Sequence, residues 1–421
     1  MRKIYLIIIF VEVLFGLDAK MEIIKTKSTL PTIIVSAVLD GSNSGITSKI
    51  KDLIQKDFQV SGHFKLSKQK IKYDSNDTFN VKYFRNENID LLLKLHVRKL
   101  KNNLLDINIQ LYDINKNEIV LNKIYSAVGY YNYPFMAHKI SIEVNKYLNA
   151  PTLAWMDNLI VFSRYKNAKE SEIVISDYTL TYQKIVVSGG LNIFPKWVNN
   201  TQESFYYTSY NEGIPTLKIY NLKTGKLYSI TNSDGMIVCS DVSVKSSKII
   251  LTMAPNSQPD IYTYDIKSKI KERITNYSGI DVGGSFVEND KKIVFVSDRL
   301  KKPNIFAKTI GQKGVERLVY HGRNNSQCTT FQDYIVYSSR ELKNEFGGSA
   351  FNLYLISTKS DFIRRLTSVG KNQFPKFSQD GNSLLFIKRY KGKSYLGIIR
   401  LNFNKSFLFS LKSGKLQSID W

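Results

Sequence analysis

The chain has 421 residues, which is enough for more than one domain with a large apolar core. Hydrophobic residues make up 43% of it, with 26 Tyr and 23 Phe but nine Pro. This composition is typical of a folded, β-rich protein and excludes a disordered one. The formal net charge is +24. Of this, +8 falls within residues 1–150 and +16 after them, so the sequence has no basic tail. A basic surface of this kind is suited to binding nucleic acid, an anionic polymer or an acidic protein. The alternative is that lysine is simply the usual surface residue of this protein and has no specific partner.

The first residues predict an export signal. Arg2 and Lys3 precede an apolar run over residues 4–15, and a cleavage site follows near Ala19. The run is shorter than the ~20 apolar residues that span a membrane. We therefore expect residues 1–19 to be a signal peptide and the mature chain to be periplasmic, without a transmembrane segment. Glu12 interrupts the run, which leaves a buried core segment as the alternative interpretation.

The next part of the chain mixes strand and helix patterns. A strand-like run covers residues 32–38, and apolar residues recur at helical spacing over 46–58. Alternating strands follow between residues 89 and 128, and a last helix covers 135–148. These elements predict a small α/β domain over residues 20–150. The aromatic residues that lead into the last helix are expected to pack this domain onto the next one.

A spacing of 44 residues dominates the rest of the chain. The intervals are 44, 44, 44, 48 and 44 between the residues that end each repeat: Val187, Thr231, Thr275, Val319, Thr367 and Leu411. A second set keeps the same rhythm: Ile173, Leu217, Ile261, Ile305, Leu353 and Leu396. A period in the forties with short β-type runs is typical of propeller blades, so residues 151–421 are predicted to form a β-propeller.

Six blades are expected, and the first has no inner strand of its own. Residues 416–421 resemble an inner strand, and Trp421 lies 44 residues after Phe377. We therefore predict that strand 416–421 closes the ring beside the second strand of blade one, because closure removes exposed sheet edges. The predicted fold class is mainly β, a six-bladed propeller preceded by a small α/β domain.

The two cysteines are predicted to be free. Cys239 and Cys328 fall on the inner strands of blades three and five, so a blade lies between them. A disulfide needs Cα atoms within about 7 Å of each other. We expect two buried thiols.

No motif in the chain indicates catalysis. The four histidines have no metal-ligand spacing, and no G-x-S-x-G motif of a serine hydrolase is present. The inner strands contribute Lys196, Asp241, Ser285, Thr329, Lys376 and Asp420, without an evident pair of carboxylates. The sequence therefore predicts no catalytic residue, metal or cofactor. The alternative is a periplasmic propeller enzyme or carbohydrate-binding propeller that uses its central channel.

Residues 374–381 (FPKFSQDG) resemble the P-x-W-S-P-D-G repeat of the TolB family of propellers. The entry to the propeller is similar to the family's first blade over residues 158–162, 176–178 and 183–186. Residues 61–64 (SGHF) match the family's S-G-x-F segment. The order of signal peptide, α/β domain, six blades and closing strand extends the resemblance over the whole chain.

The resemblance implies a non-catalytic periplasmic protein of the Tol-Pal system, which supports outer-membrane invagination in cell division and envelope integrity. It implies that the propeller binds Pal, the peptidoglycan-associated lipoprotein. The start of the mature chain, about residues 20–24 with Glu22, Ile23 and Ile24, would bind TolA. Other outer-membrane and peptidoglycan-associated proteins are further partners; a monomer is expected, and nucleic-acid binding is not.

The resemblance also places the Pal-facing rim on the loops that enter the inner strands. By position in these loops, the expected rim residues are Asn192, Ile193, Asp234, Met236, Asp281, Asn324, Asn325, Lys371 and Gln373.

Overall fold

The structure is a computed structural model that describes residues 30–38, 44–69, 81–243, 245–341 and 350–421. The expected signal peptide and the segment 20–24, with Glu22, Ile23 and Ile24, lie outside the described residues. In the described part of the chain, no helix is both long enough and apolar enough to cross a membrane.

The first domain is a mixed five-stranded sheet with helices on both faces. Its strands lie in the order β2, β1, β3, β4, β5, with β1 parallel to β2 and β3 and the remaining pairs antiparallel. Their bounds are β1 Thr32–Ala37, β2 Lys65–Leu66, β3 Leu91–Lys99, β4 Leu104–Asp113 and β5 Glu118–Val128. The helices are α1 Ser44–Ser61, α2 Val81–Asn86 and α3 Tyr133–Tyr147. A short 3-10 turn, Tyr130–Asn132, precedes α3.

Two layers of apolar side chains hold this domain together. The helical spacing of Ile50, Ile54 and Phe58 places all three on the buried face of α1, against the sheet. On the other face, Phe84 of α2 packs with Ile34 of β1 and its neighbours. The sequence pattern did not indicate β2 or α2, because elements of two and six residues are too short to show a period.

The remaining strands form six antiparallel blades among the described residues. Blade one combines β29 (Lys415–Asp420) with β6 (Ile160–Tyr165), β7 (Ser171–Ser176) and β8 (Gln183–Val187). Blade two is β9 (Asn192–Trp197), β10 (Ser204–Ser209), β11 (Thr216–Asn221) and β12 (Leu227–Asn232). Blade three is β13 (Ile237–Val242), β14 (Lys248–Met253), β15 (Asp260–Asp265) and β16 (Lys271–Arg273). Single 3-10 turns, Ala154–Asp157 and Pro255–Ser257, lie before β6 and before β15.

The last three blades follow the same plan. Blade four is β17 (Asp281–Val287), β18 (Lys292–Ser297), β19 (Asn304–Thr309) and β20 (Glu316–Arg317). Blade five is β21 (Arg323–Phe331), β22 (Tyr334–Glu341), β23 (Ala350–Ser357) and β24 (Ile363–Arg365). Blade six is β25 (Lys371–Phe377), β26 (Ser383–Tyr390), β27 (Lys393–Arg400) and β28 (Lys405–Ser410). Blades five and six are joined at one point, where Phe351 pairs with Lys371.

The 44-residue rhythm corresponds to a repeated core position. The six residues Ile173, Leu217, Ile261, Ile305, Leu353 and Leu396 lie on the third strands, and each is completely buried. Packing between successive blades therefore requires a large aliphatic side chain at this point of every repeat. Each inner strand also carries a β-bulge where it pairs with the second strand.

The C-terminal strand lies in blade one. β29 pairs antiparallel with β6, with Ile419 opposite Phe162. Beyond the strand, Trp421 Nε1 donates a hydrogen bond to the carbonyl of Phe377, 2.8 Å away. The first blade is therefore built from both ends of the propeller sequence, and blade six is joined to it by the indole.

The first domain packs on blades one and six. Val60 and Ile142 of the first domain share a core with Trp155, Tyr178 and Phe409 of the propeller. Gly62 has φ +75°, and a Cβ at this residue would lie 3.0 Å from the ring of Phe403. The chain thus needs glycine here, both for the left-handed backbone and for the close approach of the two domains.

Candidate functional site: the rim, the channel and the domain junction

The expected rim lies on the propeller face opposite the first domain. β25 ends at Phe377, which is bonded to Trp421, and Trp421 packs against Trp155 with ring centroids 5.6 Å apart. This end of the inner strands is therefore the end next to the first domain. Lys371 begins the same strand six residues earlier, about 20 Å away along an extended chain. Within the described ranges, the loops that enter the inner strands thus lie away from the first domain.

Five of the nine expected rim residues reach solvent. Asp234 and Lys371 are exposed, while Met236, Asn324 and Gln373 are partly buried. Met236 also lines the central channel, so the rim and the channel entrance are continuous. Gly370 sets the position of Lys371, because it has φ +84° and its backbone passes close to the carbonyl of Arg389.

The other four are buried and hold the entry loops in place. Asn192 Nδ2 donates to the carbonyl of Gly189 at 2.8 Å, and Asn325 Nδ2 donates to the carbonyl of His321 at 2.8 Å. Asp281 accepts two hydrogen bonds from Arg299 at 2.8 and 3.0 Å. Ile193 is 6% exposed. These side chains shape the rim from beneath, and a partner cannot contact them directly without displacing the loops.

The central channel is a cavity of about 310 Å³ lined by the inner strands of all six blades. Toward the rim its walls are mainly apolar, with Phe194, Met236, Val238 and Phe374. These residues lie near the start or the middle of their strands. The charged residue Lys196 lies further along its strand, toward the first domain. The channel therefore has an apolar entrance and a charged inner end.

At the inner end, the channel contains a pair of carboxylates that the sequence did not reveal. Lys196 Nζ lies 3.1 Å from Asp420 and 3.7 Å from Asp241. Burial alone would lower the pKa of Lys196, but the charges of Asp420 and Asp241 raise it above its ordinary value. The expectation of no paired carboxylates was wrong, because equivalent positions on the inner strands of blades one, two and three meet at the axis. Lys196 and Asp241 lie 45 residues apart, about one repeat, and this spacing is the pattern that indicates their contact.

The channel groups do not form an activated nucleophile. Cys239 and Cys328 are free and buried, which confirms the sequence prediction. Burial raises the pKa of both thiols, that of Cys328 to about 12, so both stay protonated at neutral pH. Burial and repulsion from Lys196 lower the pKa of Lys376. Among the residues that the structure describes, no group of His, Cys, Asp and Glu is arranged to hold a metal ion.

The junction between the domains contains a charged cluster that the sequence also did not reveal. His138 of α3 lies between two carboxylates, with Nδ1 2.9 Å from Asp57 of α1 and Nε2 3.3 Å from Asp177 of blade one. Tyr178 donates to the second oxygen of Asp57 at 2.5 Å. All four side chains are completely buried. We call these residues the junction cluster; they join helices α1 and α3 of the first domain to the propeller.

The junction cluster keeps His138 charged. Burial by itself would lower the pKa of His138, but the charge of Asp57 and the hydrogen bond with Asp177 raise it to about 10. Burial would likewise raise the pKa of Asp177, yet its hydrogen bond with His138 holds that pKa below the ordinary value. The imidazolium is therefore the counter-charge that allows both carboxylates to be buried between the domains.

Aromatic side chains surround the junction cluster, as the sequence predicted for the residues around the start of α3. Tyr131 stacks on Tyr182 of blade one at a centroid distance of 6.3 Å, and Phe135 packs edge-on against the same ring at 5.1 Å. The junction is thus apolar at its border and charged at its centre.

These features define a class of protein: a six-bladed β-propeller with a closing C-terminal strand, an apolar channel entrance on one face and a mixed α/β domain fixed to the other. The family profile described as "TolB beta propeller domain" matches residues 154–421, and the profile described as "TolB amino-terminal domain" matches residues 19–120. The chain belongs to the TolB family.

Relatives match over the full length of the chain. The chain is 46% identical over 424 residues to the Tol-Pal system protein TolB of Helicobacter hepaticus, covering 100% of both chains. It is 44% identical to the protein of the same name from Wolinella succinogenes, covering 97% of both. Among solved structures, TolB from Acinetobacter baumannii has the same fold, with a TM-score of 0.76 and 20% identity over 93% of this chain and 96% of that one.

Proposed function

We propose that this chain is a periplasmic, non-catalytic scaffold of the Tol-Pal system. It binds Pal through the propeller rim and TolA through residues 20–24, and it supports outer-membrane invagination in cell division and envelope integrity. The observation that carries the proposal is the full-length similarity to a relative named as a Tol-Pal system protein, at 46% identity.

The geometry supports binding rather than catalysis. The rim is the propeller face that the first domain leaves free, and it opens into an apolar channel entrance formed by Phe194, Met236 and Phe374. A protein partner can place an apolar side chain in this entrance while its flanks contact the exposed rim residues Asp234 and Lys371. The titratable groups of the channel are held at its inner end by one another, and the thiols are protonated.

The test is direct binding of the purified mature chain to Pal from the same bacterium, produced without its lipid. Lys371→Glu is expected to weaken binding roughly tenfold, because it reverses one exposed charge at the rim. Lys313→Glu is the matched control, since Lys313 is exposed in the turn after β19, at the opposite end of the blade. Absence of Pal binding by the wild-type chain, together with hydrolysis of a glycan or peptide, would replace the scaffold with the propeller enzyme.

The TolA contact is tested separately. Removal of residues 20–24 is expected to abolish TolA binding in the same assay and to leave the Kd for Pal unchanged, because the rim lies on the far face of the propeller. Retention of TolA binding by the truncated chain would assign that contact to another surface.

A further inference from the structure

Positive charges on blades five and six form one continuous row at the rim. Arg323 pairs in register with Arg340, Arg340 with Phe351, Phe351 with Lys371, and Lys371 with Arg389. These residues belong to five neighbouring strands, which lie about 4.8 Å apart, so the row is about 20 Å long. We call Arg323, Arg340, Lys371 and Arg389 the cationic row. The four residues are up to 66 positions apart in the sequence, which is why the sequence alone does not indicate the row.

The charges of the row are not neutralised within the described part of the chain. On blades one, two and four, cations near the rim are paired with carboxylates: Arg164 with Glu172, Lys218 with Glu212 and Arg299 with Asp281. The cationic row has no carboxylate within 4 Å among the described residues. Residues 342–349, which the structure does not describe, contain one lysine and one glutamate and so add no net charge.

The arrangement is unfavourable for the isolated fold. Like charges directly opposite each other on neighbouring strands are destabilising, and the row contains two such pairs, Arg323 with Arg340 and Lys371 with Arg389. Glu341 follows Arg340 but points to the other face of its strand, where it accepts a hydrogen bond from Tyr354. Nη2 of Arg389 donates to the carbonyl of Leu416 at 2.7 Å, which holds this guanidinium beside blade one. An external anion bound along the row would relieve the repulsion between the paired cations.

We propose that the cationic row binds an acidic, extended segment of the protein partner that docks on the rim. The proposal rests on the proposed function and adds the chemistry of the partner. Arg323 and Lys371 begin the inner strands of blades five and six, and the same strands line the channel further on with Gln327 and Phe374. A polypeptide can place carboxylates along the row and an apolar side chain in the channel entrance. A flat lipid surface satisfies the charges but cannot enter the channel.

The test uses Arg323→Gln/Arg340→Gln in the full mature chain, with lipid-free Pal as the probe and NaCl from 50 to 300 mM. The expected result is a 5- to 20-fold rise in Kd, mainly through a slower association rate, and a weaker dependence of Kd on salt. The control, Lys267→Gln/Lys313→Gln, removes two exposed charges from turns at the opposite end of the blades and should leave Kd unchanged. The melting temperature of the Arg323→Gln/Arg340→Gln variant should equal or exceed that of the wild type, which separates loss of recognition from loss of folding.

The outcomes distinguish this inference from the function on which it rests. If the wild-type chain does not bind Pal, the proposed function fails. If Lys371→Glu weakens binding but the double variant retains wild-type Kd and salt dependence, Pal remains the partner, its contact is confined to Lys371, and the inference of a binding site along the whole row is overturned. If the double variant binds Pal normally but loses binding to vesicles with 30% anionic lipid, the row faces a membrane and the inference is overturned.

Discussion

Replacement of His138 by glutamine tests whether the junction cluster holds the two domains together. Glutamine keeps hydrogen-bonding capacity but removes the positive charge between Asp57 and Asp177. A pKa of about 10 in the fold, against the ordinary 6.5, means that proton binding by His138 contributes about 4 kcal/mol to stability at pH 7. This agrees with the cost of about 3–5 kcal/mol for breaking a buried ion pair. We expect His138→Gln to lower the free energy of unfolding by about this amount.

The pH dependence of unfolding gives a second measure. Because the folded-state pKa is raised, the contribution is complete below pH 6.5 and is lost as the pH rises toward 10. Between pH 7 and pH 9 the wild-type chain should lose roughly 2 to 3 kcal/mol through this group. His138→Gln should lack this component. The other titratable groups around the imidazole are Asp57, Asp177, Asp157 and Tyr178, and burial raises the pKa of Tyr178 well above its ordinary value.

The assay is urea-induced unfolding at pH 7, 8 and 9, followed by circular dichroism and by tryptophan fluorescence. Trp155 lies 5.2 Å from the ring of Tyr178, so its emission reports on the junction. His96→Gln is the control, because His96 lies on strand β3, away from the propeller. If His138→Gln unfolds within 1 kcal/mol of the wild type and shows the same loss of stability from pH 7 to pH 9, the charged junction does not stabilise the chain.

Three further predictions concern the propeller itself. Removal of residues 415–421 takes the inner strand from blade one and leaves an open sheet edge, so the melting temperature should fall by roughly 10 °C or more, with loss of cooperativity, in calorimetry. Gly370→Ala should lower the free energy of unfolding in urea by about 2 kcal/mol or more, because Gly370 has φ +84° and the new Cβ would lie 2.9 Å from a backbone carbonyl oxygen. The control is Gly189→Ala, which has φ +86° with open space around it and should cost only the backbone strain of about 1 kcal/mol. Equal costs for the two variants would contradict the role given to the close approach at Gly370. Cys239 and Cys328 should react with a thiol reagent at pH 8 only after unfolding in urea, since burial keeps both protonated; labelling of the native chain within minutes, measured by mass spectrometry, would show that the channel admits the reagent.

The repeat made the propeller predictable because it reflects packing that every blade must satisfy. Leu217 and Ile261 are buried at equivalent points of successive blades, so the spacing between them is set by the fold. The free state of Cys239 and Cys328 followed from the same register, because two blades that are not neighbours keep their inner strands apart. The short strand β2 and helix α2 leave no such repeated requirement in the sequence, and so they were not predicted.

The sites depend on contacts that the sequence does not record. Asp57, His138 and Asp177 are separated by 81 and 39 residues, and none of them lies in a recognisable motif. Adjacent positions in an entry loop also differ in whether the side chain turns outward. Asn192 turns inward and bonds to the turn before its strand, as does Asn372 in blade six, whereas Lys371, one residue earlier, is exposed. Loop position therefore locates the rim but not its contact residues.

The placement of the first domain affects the stability of ring closure. The ring closes between blade six and blade one, and blade one takes its inner strand, β29, from the C-terminal end of the chain. We call this junction the seam. The first domain contacts both sides of this seam, through Tyr178 on blade one and Phe403 on blade six. The first domain therefore bridges blades one and six and stabilises the closure of the ring. Displacement of the first domain by a force or a ligand would weaken the closure of the ring. Until the last residue has been synthesised, the chain can form neither this closure nor the full contact of the first domain across it.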